Sequence, residues 1–188
     1  YYFSYLKNSP SGTYSLTIAF DAMKMALTDS EAVTVAKIFL SNQKIDEALV
    51  VLKDVSLDKK WTYLAIAQYY KNDFENYKKT VAEGFAKHAL SIDKQDLKTF
   101  IDFYVSTQPD ALKTYTELQK STAGKAIPDY FLYKIAQLQP QDKKVAIYKD
   151  IVKKYGKSEY LDECLVGVFF DFAAKKQFNA AVKVGEIY

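Results

Sequence analysis

The sequence predicts an all-α protein, specifically a right-handed α-solenoid of about five helix pairs with a preceding helix. Three observations carry that expectation. Six glycines and four prolines in 188 residues fall well short of the ordinary combined usage of about 12%, leaving too little turn material for a many-stranded β protein. Apolar residues recur at helical spacing along nearly the whole chain. Short polar breaks cut that pattern into segments of roughly 11 to 18 residues, a normal length for globular helices.

Residues 11–27 carry the first stripe, through Tyr14, Ile18 and Met25, and Thr28-Asp29-Ser30 reads as a cap. After Ser30 a second helix carries Val33, Ala36, Ile38, Phe39 and Leu40. Asn42-Gln43-Lys44 turns the chain, and residues 46–55 return with Ala48, Leu49, Val51 and Leu52. The unit then recurs. Asp58 caps a helix through Trp61, Leu64, Ala65 and Tyr69, Lys71-Asn72-Asp73 turns it, and residues 74–87 return. A third pair runs from Asp93 through Phe100, Phe103 and Tyr104 to a break at Thr107-Gln108-Pro109, with residues 110–120 as its return. Pro128 suits a first helical turn, where its missing N–H costs nothing, and residues 129–138 stop at Gln139-Pro140. Residues 142–155 return, with Gly156 as a C-cap and Ser158 as the next N-cap, and residues 160–176 and 178–188 form the fifth pair. Residues 1–29 are thus a preceding helical segment and residues 30–188 a repeat domain. The chain opens without Met and closes inside an amphipathic pattern, so it reads as a piece of a longer protein from which any targeting segment is absent.

Register distinguishes a repeat from a bundle. One turn into each return helix stand Ala48, Tyr77, Ala111, Ala146 and Ala181, at intervals of 29, 34, 35 and 35. In the second pair Trp61, Leu64-Ala65, Tyr77, Val81 and Gly84 fall at the large and small positions of a 34-residue helix–turn–helix motif. On these residues the chain resembles the tetratricopeptide-repeat family over residues 30–188. Residues 146–158, with Lys153-Lys154-Tyr155-Gly156-Lys157-Ser158, and their continuation through residues 178–182 are similar to bacterial envelope repeat proteins, with Gly156 where those carry proline.

The resemblance implies a scaffold or adaptor, commonly periplasmic, with no catalytic residue to carry over. It implies a non-catalytic protein–protein interaction scaffold in a bacterial cell-envelope assembly, most specifically a periplasmic flagellar-motor scaffold component. The superhelical arm of a soluble lytic transglycosylase and a cytosolic adaptor are the rival readings. In the family the first helix of each pair lines the concave face, which places Ile66, Tyr69, Tyr70, Phe100, Phe103 and Tyr104 near a partner-binding groove. The competing reading packs the same aromatics between helices as core. Open ends also predict assembly, because a terminal pair without a polar outer face offers apolar surface to another repeat or another chain. The expected partners are other proteins, including another repeat protein of the same assembly.

Composition narrows the alternatives. All 26 basic residues are lysine, set among 23 acids for a net charge of +3, and an Arg-free balanced surface disfavours nucleic acid. The longest apolar run, Leu165 to Phe170, is far short of a membrane span. One histidine, His88, and no paired-cysteine or HExxH spacing leave no metal, cofactor or small-molecule substrate expected. His88 reads as a helix C-terminal cation and Cys164 as a buried thiol with no base nearby. The pairs Asp46-Glu47, Asp93 with Asp96, and Asp162-Glu163 read as helix caps, and the paired lysines, Lys59-Lys60 through Lys175-Lys176, as solvated surface.

Overall fold

The computed structural model describes residues 2–8 and 10–186, all of whose regular structure is helical, with no strand among the described residues. The chain forms two compact units, Tyr1–Ile101 and Asp102–Tyr188. The first contains α1 (Tyr2–Asn8), α2 (Ser15–Ala22), α3 (Asp29–Ser41), α4 (Ile45–Leu52), α5 (Leu57–Tyr70), α6 (Phe74–Glu83) and a π-helical turn, Gly84–His88. The division falls inside α7 (Lys94–Ser106). The second contains α8 (Ala111–Gln119), α9 (Thr122–Ala126), α10 (Pro128–Gln137), α11 (Gln141–Lys154), α12 (Leu161–Ala174) and α13 (Phe178–Gly185). No helix among the described residues is long and apolar enough to cross a membrane.

Helix starts follow the expected chemistry. Thr28 and Glu31 form a reciprocal capping box at α3, and Asp73, Asp110 and Ser121 accept backbone N–H groups at α6, α8 and α9. The turns are more informative. Gln43, Asn72 and Lys176 adopt left-handed backbone, with φ of 59°, 59° and 57°. At each, the following N–H reaches back over the turn: Lys44 to the carbonyl of Phe39 at 2.8 Å, Asp73 to Gln68 at 2.9 Å and Gln177 to Phe172 at 2.8 Å. The left-handed residues themselves donate to Leu40, Tyr69 and Ala173. This double bond is the Schellman helix stop, and three helix pairs use it without glycine.

The other two turns carry proline instead, and the predicted register shifts there. Pro109 and Pro140 have no N–H for the long bond, and proline disfavours helical backbone in the residue before it. Ala48, Tyr77 and Ala181 are buried as the register expects. Ala146, however, is exposed while Val145 and Tyr148 are buried, and Ala111 is half-buried while Tyr115 is buried. The return helices after proline start in a different phase. Gly156 is corrected too: Tyr155 is the C-cap of α11, no glycine has positive φ among the described residues, and a Cβ on Gly156 would meet open space.

In the first unit, Ala32, Val33, Val35, Ala36, Ile38 and Phe39 of α3 meet Ala48 and Leu52 of α4 and Tyr63 of α5. Residues 1–29 share this core through Leu6, Ala19 and Ala22. Beyond it Trp61, fully buried, meets Phe85 and Phe100 edge-on, with centroids 5.3 and 4.8 Å away. Gly84 makes that possible, since a Cβ there would lie 2.1 Å from the Trp61 ring. In the second unit Ala136, Val145, Tyr148, Ile151, Cys164 and Val168 form the core of α10 to α12. Gly167 passes under Tyr148, where a Cβ would come within 2.7 Å of the ring. The short helix α9 has no counterpart in the periodicity. Gly124 lets it fold back onto α8, because a Cβ would fall 1.8 Å from the Gln119 carbonyl oxygen.

Candidate functional site

The Lys176 turn folds α13 back on α12, and the two helices pack together. Inward, Cys164 and Val168 are buried in the core of the second unit. Outward, an apolar cleft of about 280 Å³ is lined by Leu165, Val166, Phe169, Phe170, Val184 and Gly185. Val166 is 41% exposed and Phe170 65%, while Phe178 and Val182 of α13 are 63% and 57% exposed. Phe169 and Phe170 stand edge-to-face at 5.5 Å. Covering a large apolar side chain is worth about 1.5–3 kcal/mol, so Val166 and Phe170, both lining the cleft, are the candidates for burial against a further apolar surface. The face is held from beneath by Asp171, whose buried side chain accepts from Lys175 at 2.7 Å and Lys149 at 3.4 Å. The Lys175 bond, foremost among several influences, holds its carboxyl below the ordinary value.

The predicted aromatic groove divides between the two units. Ile66, Tyr69, Tyr70 and Phe100 lie in the first, and Phe103 and Tyr104 in the second. Phe100 is completely buried against Trp61 and Phe85, so it is core and unavailable to a partner. Ile66 is half-buried on the first core cluster. Tyr69 is half-buried and meets Tyr70, Phe74 and Tyr77 edge-on. Tyr70 is exposed, and Phe103 and Tyr104 are half-buried.

The titratable groups gather elsewhere than the sequence places them. Asp102 accepts from the Tyr115 hydroxyl at 2.5 Å, the Tyr130 hydroxyl at 2.6 Å and the Lys134 ammonium at 2.9 Å. Burial works to raise its pKa, but the three donors together outweigh it and hold the carboxyl low. Glu163 accepts from Tyr133 at 2.6 Å, Gln137 at 2.9 Å and Tyr148 at 3.2 Å, and Tyr133 stacks on Tyr160 at 4.2 Å. The Tyr133 bond foremost lowers Glu163, while burial first and then Glu163 push the Tyr133 phenol up to about 12. Glu163 therefore serves a tertiary network and not only a helix start. Asp96 likewise takes Lys37 at 2.8 Å, whereas Asp93 does cap α7, accepting from Gln95 and Asp96 N–H groups. The lysines are not all solvated surface: Lys60 donates to the Leu52 and Lys53 carbonyls that end α4. Cys164 is buried, and burial first, with the Glu163 charge, pushes its thiol up to about 12, which suppresses the thiolate. His88 ends the π-helical turn, half-buried.

No family model, curated protein or solved structure matches this chain. The sequence reading assigned no binding role to Val166 or Phe170. Its usable signal was the Leu165–Phe170 run, too apolar on both sides of the helix for a pair covered on one side only.

Proposed function

We propose that the chain is a non-catalytic protein–protein interaction scaffold, built as a right-handed α-solenoid of tetratricopeptide-like helix pairs. The observation that carries the reading is the apolar cleft between α12 and α13, where Val166 and Phe170 are exposed. The recurrence of one turn geometry at Gln43, Asn72 and Lys176 supports the repeat architecture. A rigid pair of helices presents such a face without first having to order it, so little of the binding energy is lost to ordering. The envelope setting, periplasmic and within a flagellar-motor assembly, rests on the resemblance of residues 146–158 and 178–182 and is the narrower part of the proposal.

Photo-crosslinking tests it. A benzophenone amino acid placed at position 170 of the full-length protein in its own cells should yield one discrete protein adduct. The same group at exposed Lys79 should not. Identical adducts from both positions, or none from position 170, would overturn the scaffold reading.

A further inference from the structure

A second surface follows from where the charge lies, an inference that rests on the scaffold reading and names the chemistry of a partner. Residues 141–157 hold six lysines and two aspartates, while the other 171 residues hold 20 lysines and 21 acids. The net positive charge of the chain thus comes from α11 and the three residues after it. That helix is anchored by one side. Val145, Tyr148 and Ile151 are buried, Ile147 and Val152 are half-buried against the same core, and α10 and α12 pack on it. The opposite side, with Lys143, Ala146, Lys149, Asp150, Lys153 and Lys154, is exposed.

Half of the six lysines are engaged within the fold. Lys144 donates to the Gln137 side-chain oxygen at 2.9 Å and lies over the Tyr148 ring at 5.4 Å. Lys149 pairs with Asp171 at 3.4 Å and lies over the Phe172 ring at 4.3 Å. Lys154 pairs with Asp150 at 3.4 Å, one turn back on the exposed side. Lys143, Lys153 and Lys157 are exposed and pair with no carboxylate among the described residues. Like charges left unpaired on one side of a helix raise a positive potential, which attracts an anionic surface within a Debye length of about 8 Å at physiological salt.

We propose that the outer side of α11 binds an acidic segment of a partner protein, whose carboxylates meet Lys143 at one end of the helix and Lys153 and Lys157 at the other. Ten residues of helix put Lys143 and Lys153 about 15 Å apart along the axis, and the carboxylates are spread over that length. Two other anionic occupants fit this side poorly. A lipid surface takes up a helix through apolar side chains as well as lysines, and Ala146 is the one exposed apolar residue of α11. Asp150, among the lysines, would also face the negative headgroups. Nucleic acid is gripped best by the forked donors of arginine, and this chain has no arginine. A protein can instead set a cation or a hydroxyl opposite Asp150, with carboxylates on either side.

The probe is a fluorescent peptide of alternating glutamate and serine, titrated against the full chain by anisotropy. Saturable binding that weakens with rising salt is expected. Lys143→Glu, Lys153→Glu and Lys157→Glu combined should weaken it about tenfold or more, with the circular dichroism melt unchanged because all three side chains are exposed. The same three positions changed to Gln should weaken it severalfold, and this variant decides the matter if the glutamates lower the melt. Lys78→Glu, Lys113→Glu and Lys120→Glu combined, an equal change of net charge at exposed lysines of other helices, should leave binding within about twofold. Absence of binding, equal binding by the Gln variant, or an equal loss from the two glutamate variants overturns the proposal. So does displacement of the peptide by phosphatidylglycerol vesicles, which gives this side of α11 to a membrane. If the peptide fails while position 170 still crosslinks one discrete protein, the inference about α11 falls and the scaffold reading stands.

Discussion

The two units share a plan and differ in what fills it. Both use the left-handed helix stop and an Asp–Ser bond between pairs, Asp29 with Ser56 and Asp129 with Ser158. The first unit closes on a buried aromatic cluster of Trp61, Phe85 and Phe100 over Gly84. The second threads tyrosine hydroxyls to carboxylates, at Asp102 and again at Glu163. Turns and junctions thus set the geometry of a helix pair, and interior chemistry is free to vary behind it. A close-packed aromatic cluster resists change in volume, whereas a polar knot resists loss of a partner.

The sharpest contrast comes from volume. Trp61→Ala should cost about 3–5 kcal/mol in urea unfolding of the chain, the range for emptying a buried aromatic site. Gly84→Ala, a gain of one methyl, should cost about 1–3 kcal/mol because the Trp61 ring has nowhere to move. Tolerance of Gly84→Ala would show the cluster to be loosely packed and remove half of the contrast.

The polar knot should respond to pH instead. Asp102 is held low in the folded chain, while an unfolded aspartate titrates near 3.9. Its contribution is therefore fully present above about pH 4 and lost as pH falls through the lower folded value. Asp102→Asn should flatten this part of the acid limb of a melting profile and cost about 1 kcal/mol at neutral pH, since the group is half-exposed. An unchanged acid limb would mean the tyrosine bonds to Asp102 do not persist in solution.

The turns give the smallest effect, and of opposite sign. Left-handed backbone costs a residue with a Cβ roughly 1 kcal/mol, so Lys176→Gly and Gln43→Gly should each stabilise by up to that amount. Asn72→Gly should gain less, because asparagine adopts this conformation more readily. Destabilisation by all three would show that the side chains at these turns do more than tolerate the backbone.

Helix positions were legible because the apolar period and the caps are local signals: Thr28, Asp73 and Asp110 each stand where a short polar side chain must accept the first N–H groups. The small residues under large rings were half legible. Gly84 was placed at a small position from spacing, but Gly167 and Gly124 were not, because their reasons, the Tyr148 ring and the Gln119 carbonyl, lie across the fold. Spacing left Phe100 open between groove and core for the same reason, since helical spacing says that a residue shares a face without saying what faces it. The register failed where proline replaced the left-handed turn, and neither tyrosine knot was visible, since Asp102, Tyr115 and Tyr130 meet only after folding.

Amide hydrogen exchange over the whole chain tests the shared plan most directly, with Ser56→Ala and Ser158→Ala each removing one Asp–Ser bond between pairs. Faster exchange at the start of α5 in the first variant and of α12 in the second is the predicted result. Unchanged exchange at both helix starts would contradict it.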